Sequence, residues 1–244
     1  MLLKERISNI GMLEGANANE HWRQLRLSCF TSSQIHYLCA PKGFGKEGKS
    51  YIRSRVFEAI ARIPADPEVN TMSTISGLVE EGWAIKAYIR QREIDPRQVV
   101  VQKLIYGENP KFACTPDGIY CMNESTDGLS WNVEVWEAKC YQAKRHMEML
   151  EASTASELKA VNDECFYQVL DQMLNVDCLD GKAIFFHPAM PLEQGGLHVI
   201  NFRKRDLITE LKFLRERKKE ALEEFNRLFE KHTKNHEAKI LGSQ

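Results

Sequence analysis

Three residues near the middle of the chain have the types and the spacing for hydrolytic chemistry: Asp117, directly after Pro116, and Glu137 and Lys139, two apart in WNVEVWEAKC (131–140). Side chains alternate along a strand, so Glu137 and Lys139 lie on one face. A carboxylate and an ammonium on so apolar a strand cost desolvation unless something uses them. Pro116 can bend the preceding strand, Gly118 permits an unusual turn, and pairing of KFACTPDGIYC (111–121) with residues 131–140 brings Asp117 to Glu137. Two carboxylates that close repel, and one keeps its proton, unless a divalent cation lies between them. Hard oxygen donors suit Mg²⁺, or Mn²⁺ in its place, and such ions leave positions for phosphate oxygens. Lys139 would add a compact positive charge able to orient an attacking water and ease its deprotonation. A Glu-x-Lys pair alone is ordinary on a protein surface; the Pro-Asp on the partner strand turns the reading toward a site.

These residues need a sheet to carry them. VVVQKLIYG (99–107) and residues 111–121 and 131–140 read as strands, the last two joined by a loop with the turn pair Asp127-Gly128. Upstream, residues 20–40 hold two helical pieces with Thr31, Ser32 and Ser33 as a cap between them. A Gly/Lys loop, PKGFGKEGKS, leads into a helix from Ser50 to Ile63. Another helix spans Ser73 to Gln91, with Ile75, Leu78, Val79 and Trp83 as its apolar stripe. Downstream come a helix from Ala155 to Asn175 and the strands KAIFFHP (182–188) and GLHVINF (196–202). A long last helix carries Leu207, Leu211, Leu214, Ala221, Phe225 and Leu228 at helical spacing, a stripe for packing or for subunit contact. His187 and His198 fall on strands and read as core or rim residues rather than bases. The order is that of an α/β domain around a mixed sheet.

A chain of 244 residues with 43% hydrophobic and 27% charged residues can bury a substantial core as one domain. The net charge of −1 announces no nucleic-acid partner in bulk. Locally, Lys42, Lys46, Lys49, Arg53 and Arg55 face only Glu47, as a basic patch or a solvated helix face. Seven scattered cysteines without a CxxC pair argue against a zinc or iron–sulfur centre and for reduced thiols in the cytoplasm. No segment reaches membrane-spanning length.

TPDG (115–118) followed by EAKC (137–140) resembles the PD-(D/E)xK nuclease signature, specifically that of the lambda-exonuclease or YqaJ-type viral recombinase family. Four more stretches agree in order. WRQLRLSCFTSSQIH (22–36) is similar to the family's W-x-x-L-R-L-G-x-x-T-A-S, and GLVEEGWA (77–84) to its G-x-x-x-E-x-x-A helix. FYQVLDQM (166–173) is similar to Y-x-x-Q-v-q-x-x-M, and GGLHVINFRKRD (195–206) to the strand that closes the core.

The resemblance implies a restriction-endonuclease-like core over about residues 22–229, within a single nuclease domain, with N-terminal helices, a long C-terminal helix and a tail from residue 230. It implies that Asp117, Glu137 and the backbone carbonyl of Ala138 ligate metal, that Lys139 serves the attacking water, and that Glu81 contributes to a second metal position. Glu81 shares a helix face with Leu78 and Ile85; spacing alone does not separate it from Glu80, and the Gly77 to Ala84 register favours it. Gln168 would be a polar neighbour of the metals, while Arg26, Ser33 and Thr115 would hold the terminal 5′-phosphate of DNA. Guanidinium and hydroxyl donors suit phosphate, and Thr115, two residues before Asp117, ties its capture to the cutting site. The activity implied is Mg²⁺-dependent 5′→3′ degradation of one strand of linear double-stranded DNA to mononucleotides, in phage-type recombination by strand annealing. The resemblance also implies a homotrimeric ring, a single-strand annealing partner, and a phage or prophage setting in a bacterial cell. Three positions depart from the pattern: Ser28 for glycine, Ser32 for alanine and Leu170 for the second glutamine. An endonuclease on the same fold and a catalytically idle DNA-binding subunit are the alternatives. Arg26 and Ser33 favour the exonuclease over the first, and the intact Asp117, Glu137 and Lys139 speak against the second.

Overall fold

The computed structural model describes residues 16–65, 72–124 and 131–241. The Asp127-Gly128 turn and the side chains of Ile75 and Leu78 lie outside this description. Helix α1 (Ala16–Arg26) leads to a two-residue strand, β1 (Phe30–Thr31), and a 3-10 helix over Ser32–Leu38. The second helical piece is thus the tighter form, and Thr31 caps it with an extended backbone but no side-chain hydrogen bond. Helices α2 (Gly45–Ala61) and α3 (Met72–Gln91) follow.

Two segments expected as single strands are each broken. Residues 99–107 give β2 (Val99–Val100) and β3 (Ile105–Tyr106), with Gln102 between them at a positive φ of 49°. Residues 111–121 give β4 (Phe112–Cys114) and β5, which runs from Gly118 to Glu124, because Pro116 has no N–H to continue a ladder. Both breaks fall where the chain passes between sheets. β3 and β4 join β1 in a three-stranded sheet of order β1-β4-β3. β2 and β5 enter a five-stranded sheet with β6 (Trp131–Cys140), β7 (Asp180–Phe186) and β8 (Leu197–Arg203), in the order β2-β5-β6-β7-β8. Asp117 therefore lies on the seam between the two sheets.

β6 and β7 run parallel, which demands a crossover. It consists of α4 (Ala143–Leu150), α5 (Ala155–Val161) and α6 (Asp163–Val176). The sequence reading misses α4 and fuses the other two. Asn162 separates them: its non-helical backbone ends α5, and its side chain accepts from the Cys165 N–H to start α6. The last helix, α7 (Ile208–Leu241), buries Leu211, Leu214, Ala221 and Phe225 in the main core, beside Leu207 just before it, and extends past residue 230. No helix among the described residues is long and apolar enough to cross a membrane.

β6 is buried on both faces. Val133 and Val135 join the core that contains Phe166, Val169, Leu170 and Met173 of α6. Trp136 and Ala138 meet Ala84, Ile85 and Tyr88 of α3 in a second cluster, with Tyr88 edge-on to Trp136 at 5.0 Å. Gly118 is required by this packing and not by a turn. Its φ is not positive, and a Cβ there would stand 2.6 Å from Trp136 Cε3.

Candidate active site

The antiparallel register pairs Gly118 with Trp136 and Ile119 with Val135. One step further along the ladder sets Asp117 opposite Glu137, and directly opposed residues share a face. Asp117 is fastened there, its Oδ2 accepting the Ala138 N–H at 2.8 Å. Glu137 is 2% exposed, and both of its oxygens are held. Oε1 accepts from Lys139 Nζ and from Gln168 Nε2, each at 2.6 Å, and Oε2 accepts from Gln172 Nε2 at 2.5 Å. Lys139 Nζ also stands 3.9 Å from Glu81 Oε1 of α3. Glu81, rather than Glu80, is therefore the helix carboxylate that meets this group.

Burial, then the charges of Glu137 and Glu81, push the Asp117 carboxyl well above its usual range. Burial and Glu137 push Glu81 up to about 7 against the pull of Lys139. For Lys139 burial works against the charge, but Glu137, Asp117 and Glu81 outweigh it and hold the ammonium well above the ordinary lysine value. Three carboxylates thus share one ammonium in a buried corner. Among the described residues no three His, Cys, Asp or Glu side chains converge as a ready metal cage. Lys139 and the two glutamines hold the oxygens of Glu137, and one oxygen of Asp117 is turned to Ala138. The donor chemistry nonetheless fits a hard divalent cation: oxygen ligands, and more negative charge than the protein itself offsets. Cys140 and Cys165 are nearby thiols that burial pushes up to about 12, so neither is a nucleophile. All seven cysteines are unbridged.

A second group forms on the small sheet. β1 and β4 pair in parallel, Thr31 beside Ala113, so Ser33 and Thr115 leave the same end of that pair. Ser33 is exposed, with its Oγ 3.3 Å from Thr31 Oγ1. Thr115 Oγ1 is buried and has no partner. The Arg26 guanidinium lies 3.9 Å over the Trp22 ring, and no ion pair or hydrogen bond to it is found among the described residues. Burial, with help from Arg55, lowers its pKa from the arginine norm against the pull of Tyr51, Cys29 and Glu58. The structure thus places Ser33 and Thr115 on adjoining chain ends, with Arg26 at the end of α1.

The basic run divides. Lys42, Lys46, Lys49 and Arg53 are exposed, whereas Arg55 is tucked against Glu58 at 2.9 Å and donates to the Cys29 carbonyl. His198 donates to the Ala152 carbonyl at 2.6 Å and His187 accepts from the Ala189 N–H, so both are structural. Sequence reasoning missed two features of α6. Gln172, one turn beyond Gln168, is the second amide on Glu137. Asp171, fully buried, accepts from Ser32 Oγ at 2.6 Å, Asn175 Nδ2 at 2.9 Å and Lys218 Nζ at 2.5 Å. Polar residues at 168, 171, 172 and 175 on an otherwise apolar helix were the available signal.

The YqaJ-like viral recombinase domain family matches residues 21–178, more than half of the chain, a span that includes Arg26, Ser33, Glu81, Thr115, Asp117, Glu137, Lys139 and Gln168. The chain belongs to that family. Its fold is shared with an alkaline exonuclease from Laribacter hongkongensis, LHK-Exo, at a TM-score of 0.65 and 18% identity over 88% of this chain and 98% of that one. The same enzyme in complex with dAMP superposes equally well. A phage-related exonuclease from Haemophilus somnus 129PT gives a TM-score of 0.59 at 15% identity, covering 84% of this chain and 96% of the other. No curated protein matches.

Proposed function

We propose that the chain is a Mg²⁺-dependent 5′→3′ exonuclease that digests one strand of linear double-stranded DNA to mononucleotides. The observation that carries the reading is the gathering of Asp117, Glu137 and Lys139, with Glu81 alongside, at the end of the segment that also presents Thr115. Asp117, Glu137, Glu81 and the carbonyl of Ala138 would hold the metal. When bound, divalent ions supply Lewis acidity at the scissile phosphate. Lys139, kept charged by its acidic neighbours, orients the attacking water and favours loss of its proton. Gln168 keeps Glu137 in place through the amide contact to Oε1. Arg26, which makes no ion pair among the described residues, and Thr115, with an unused hydroxyl, join Ser33 as donors for a terminal 5′-phosphate. LHK-Exo has been captured with dAMP, a mononucleotide of the kind this reaction releases. A homotrimeric ring would let a chain of net charge −1 retain its duplex by enclosure, and an annealing protein would take up the strand left behind.

The test is one incubation with Mg²⁺ of 5′-phosphorylated linear duplex, unphosphorylated linear duplex and closed circular duplex. The phosphorylated end is consumed fastest, and the circle persists. Rapid cutting of the circle would overturn the reading in favour of an endonuclease.

A further inference from the structure

Gln172 is 1% exposed, and its side chain makes one hydrogen bond: the amide N–H donates to Glu137 Oε2 at 2.5 Å. Its own carbonyl oxygen, Oε1, is buried and has no partner. A glutamine kept for packing satisfies both ends of its amide or is replaced by an apolar residue of the same shape. Here one end is left orphaned so that the other can reach the carboxylate. Gln168, four residues earlier and so on the same helix face, supplies the matching N–H to Oε1. Each oxygen of Glu137 therefore receives one amide donor from α6, and the carboxylate plane is fixed by two contacts rather than one. A single donor would leave rotation about the last bond of the glutamate; two donors to two oxygens remove it. Lys139 also contacts Oε1, so Oε2 depends on Gln172 alone.

We propose that Gln172 is a positioning residue for Glu137, presetting the carboxylate to receive a divalent cation. The proposal rests on the reading of Glu137 as a metal ligand. Gln172 occupies one lone pair of Oε2 and leaves the other for the ion, and it spares the ion the work of ordering the side chain. Partners that orient a ligand in this way typically change metal affinity by about 10- to 100-fold when removed.

Mn²⁺ binding to the metal-free protein, followed by isothermal titration calorimetry and by the electron paramagnetic resonance of free Mn²⁺, tests this without reference to turnover. Gln172→Met keeps the volume and removes the donor. It is expected to bind Mn²⁺ at least about tenfold more weakly than the wild type. Gln172→Glu, whose side chain donates only when protonated, is expected to recover affinity as the pH is lowered from 8 to 6 relative to Gln172→Met. An affinity in Gln172→Met within twofold of the wild type, with only the thermal midpoint lowered, would show a purely structural role and overturn the proposal. If Gln172→Met does not fold, the Gln172→Glu titration decides alone, and a pH response matching that of the wild type overturns it. Glu137→Gln separates the two levels. Wild-type affinity in that variant would refute Glu137 as a ligand, whereas loss of binding there with full binding in Gln172→Met refutes only the role of Gln172.

Discussion

Helix α6 serves two corners of the molecule that are built on opposite principles. On one side, Gln168 and Gln172 reach Glu137, where both carboxylate oxygens are held and yet acid outnumbers base. On the other, Asp171 and Asn175 anchor Ser32 and Lys218 behind the small sheet. Around the small sheet stand donors to spare: the guanidinium of Arg26 and the buried hydroxyl of Thr115. The first corner carries surplus acid and the second surplus donors. Hydrogen bonding can occupy a site's polar atoms without balancing its charge, and on the proposed reading the charge that remains selects a cation at one corner and a phosphate at the other.

Breaking the acid corner should cost most. Lys139→Ala is expected to lower kcat about 10³-fold, within the range for losing a group that manages a proton, while circular dichroism shows an intact fold. A residual rate within tenfold of the wild type would mean that the attacking water is ordered elsewhere.

Breaking the donor corner should cost less, and differently. Arg26→Ala is expected to raise KM for 5′-phosphorylated ends by about 10- to 100-fold, the worth of a charged hydrogen bond. Unphosphorylated ends should be digested as before. Competition between the two kinds of end in one tube checks this, and an equal loss on both would assign Arg26 to the duplex in general.

A third effect concerns stability rather than turnover and sharpens the contrast in charge. Glu81 has a folded pKa of about 7, above its ordinary value of 4.5. The folded state therefore holds a proton that the unfolded chain gives up between those values, and stability falls as pH rises through that window and levels off above it. The loss is on the order of 3 kcal/mol. Asp117, also pushed up, adds to it in the same direction. Urea melts in chelator from pH 4.5 to 8 should show the decline in the wild type and a shallower one in Glu81→Gln, and Mg²⁺ should flatten the curve. A stability that rises across this window in chelator would contradict the burial of surplus charge.

Much of the acid corner was legible because it is local. The spacing of Glu137 and Lys139 fixes their shared face, β6 spans the expected residues 131–140, and a one-step extension of the hairpin register delivers Asp117. The breaks at Gln102 and Pro116 were not legible, since each follows from a change of sheet, and which strands pair is decided by distant parts of the chain. The same holds for the polar face of α6. Ser32 meets Asp171 across 139 residues of sequence and Gln172 meets Glu137 across 35, so no local pattern reveals those bonds. Gly118 shows a different limit. Its presence was read correctly as a constraint but assigned to a turn, whereas the constraint is the ring of Trp136 lying against it.

The segment that crosses the seam also carries a length. Thr115 and Asp117 are two residues apart, and two residues of chain reach at most about 7 Å. On the proposed reading, the anchored end of the DNA and the bond to be hydrolysed are spaced by a rigid ruler of single-nucleotide dimension. Step size would then be a covalent property of this peptide, and an inserted residue between Thr115 and Asp117 should alter the length of the released fragment before it alters anything else.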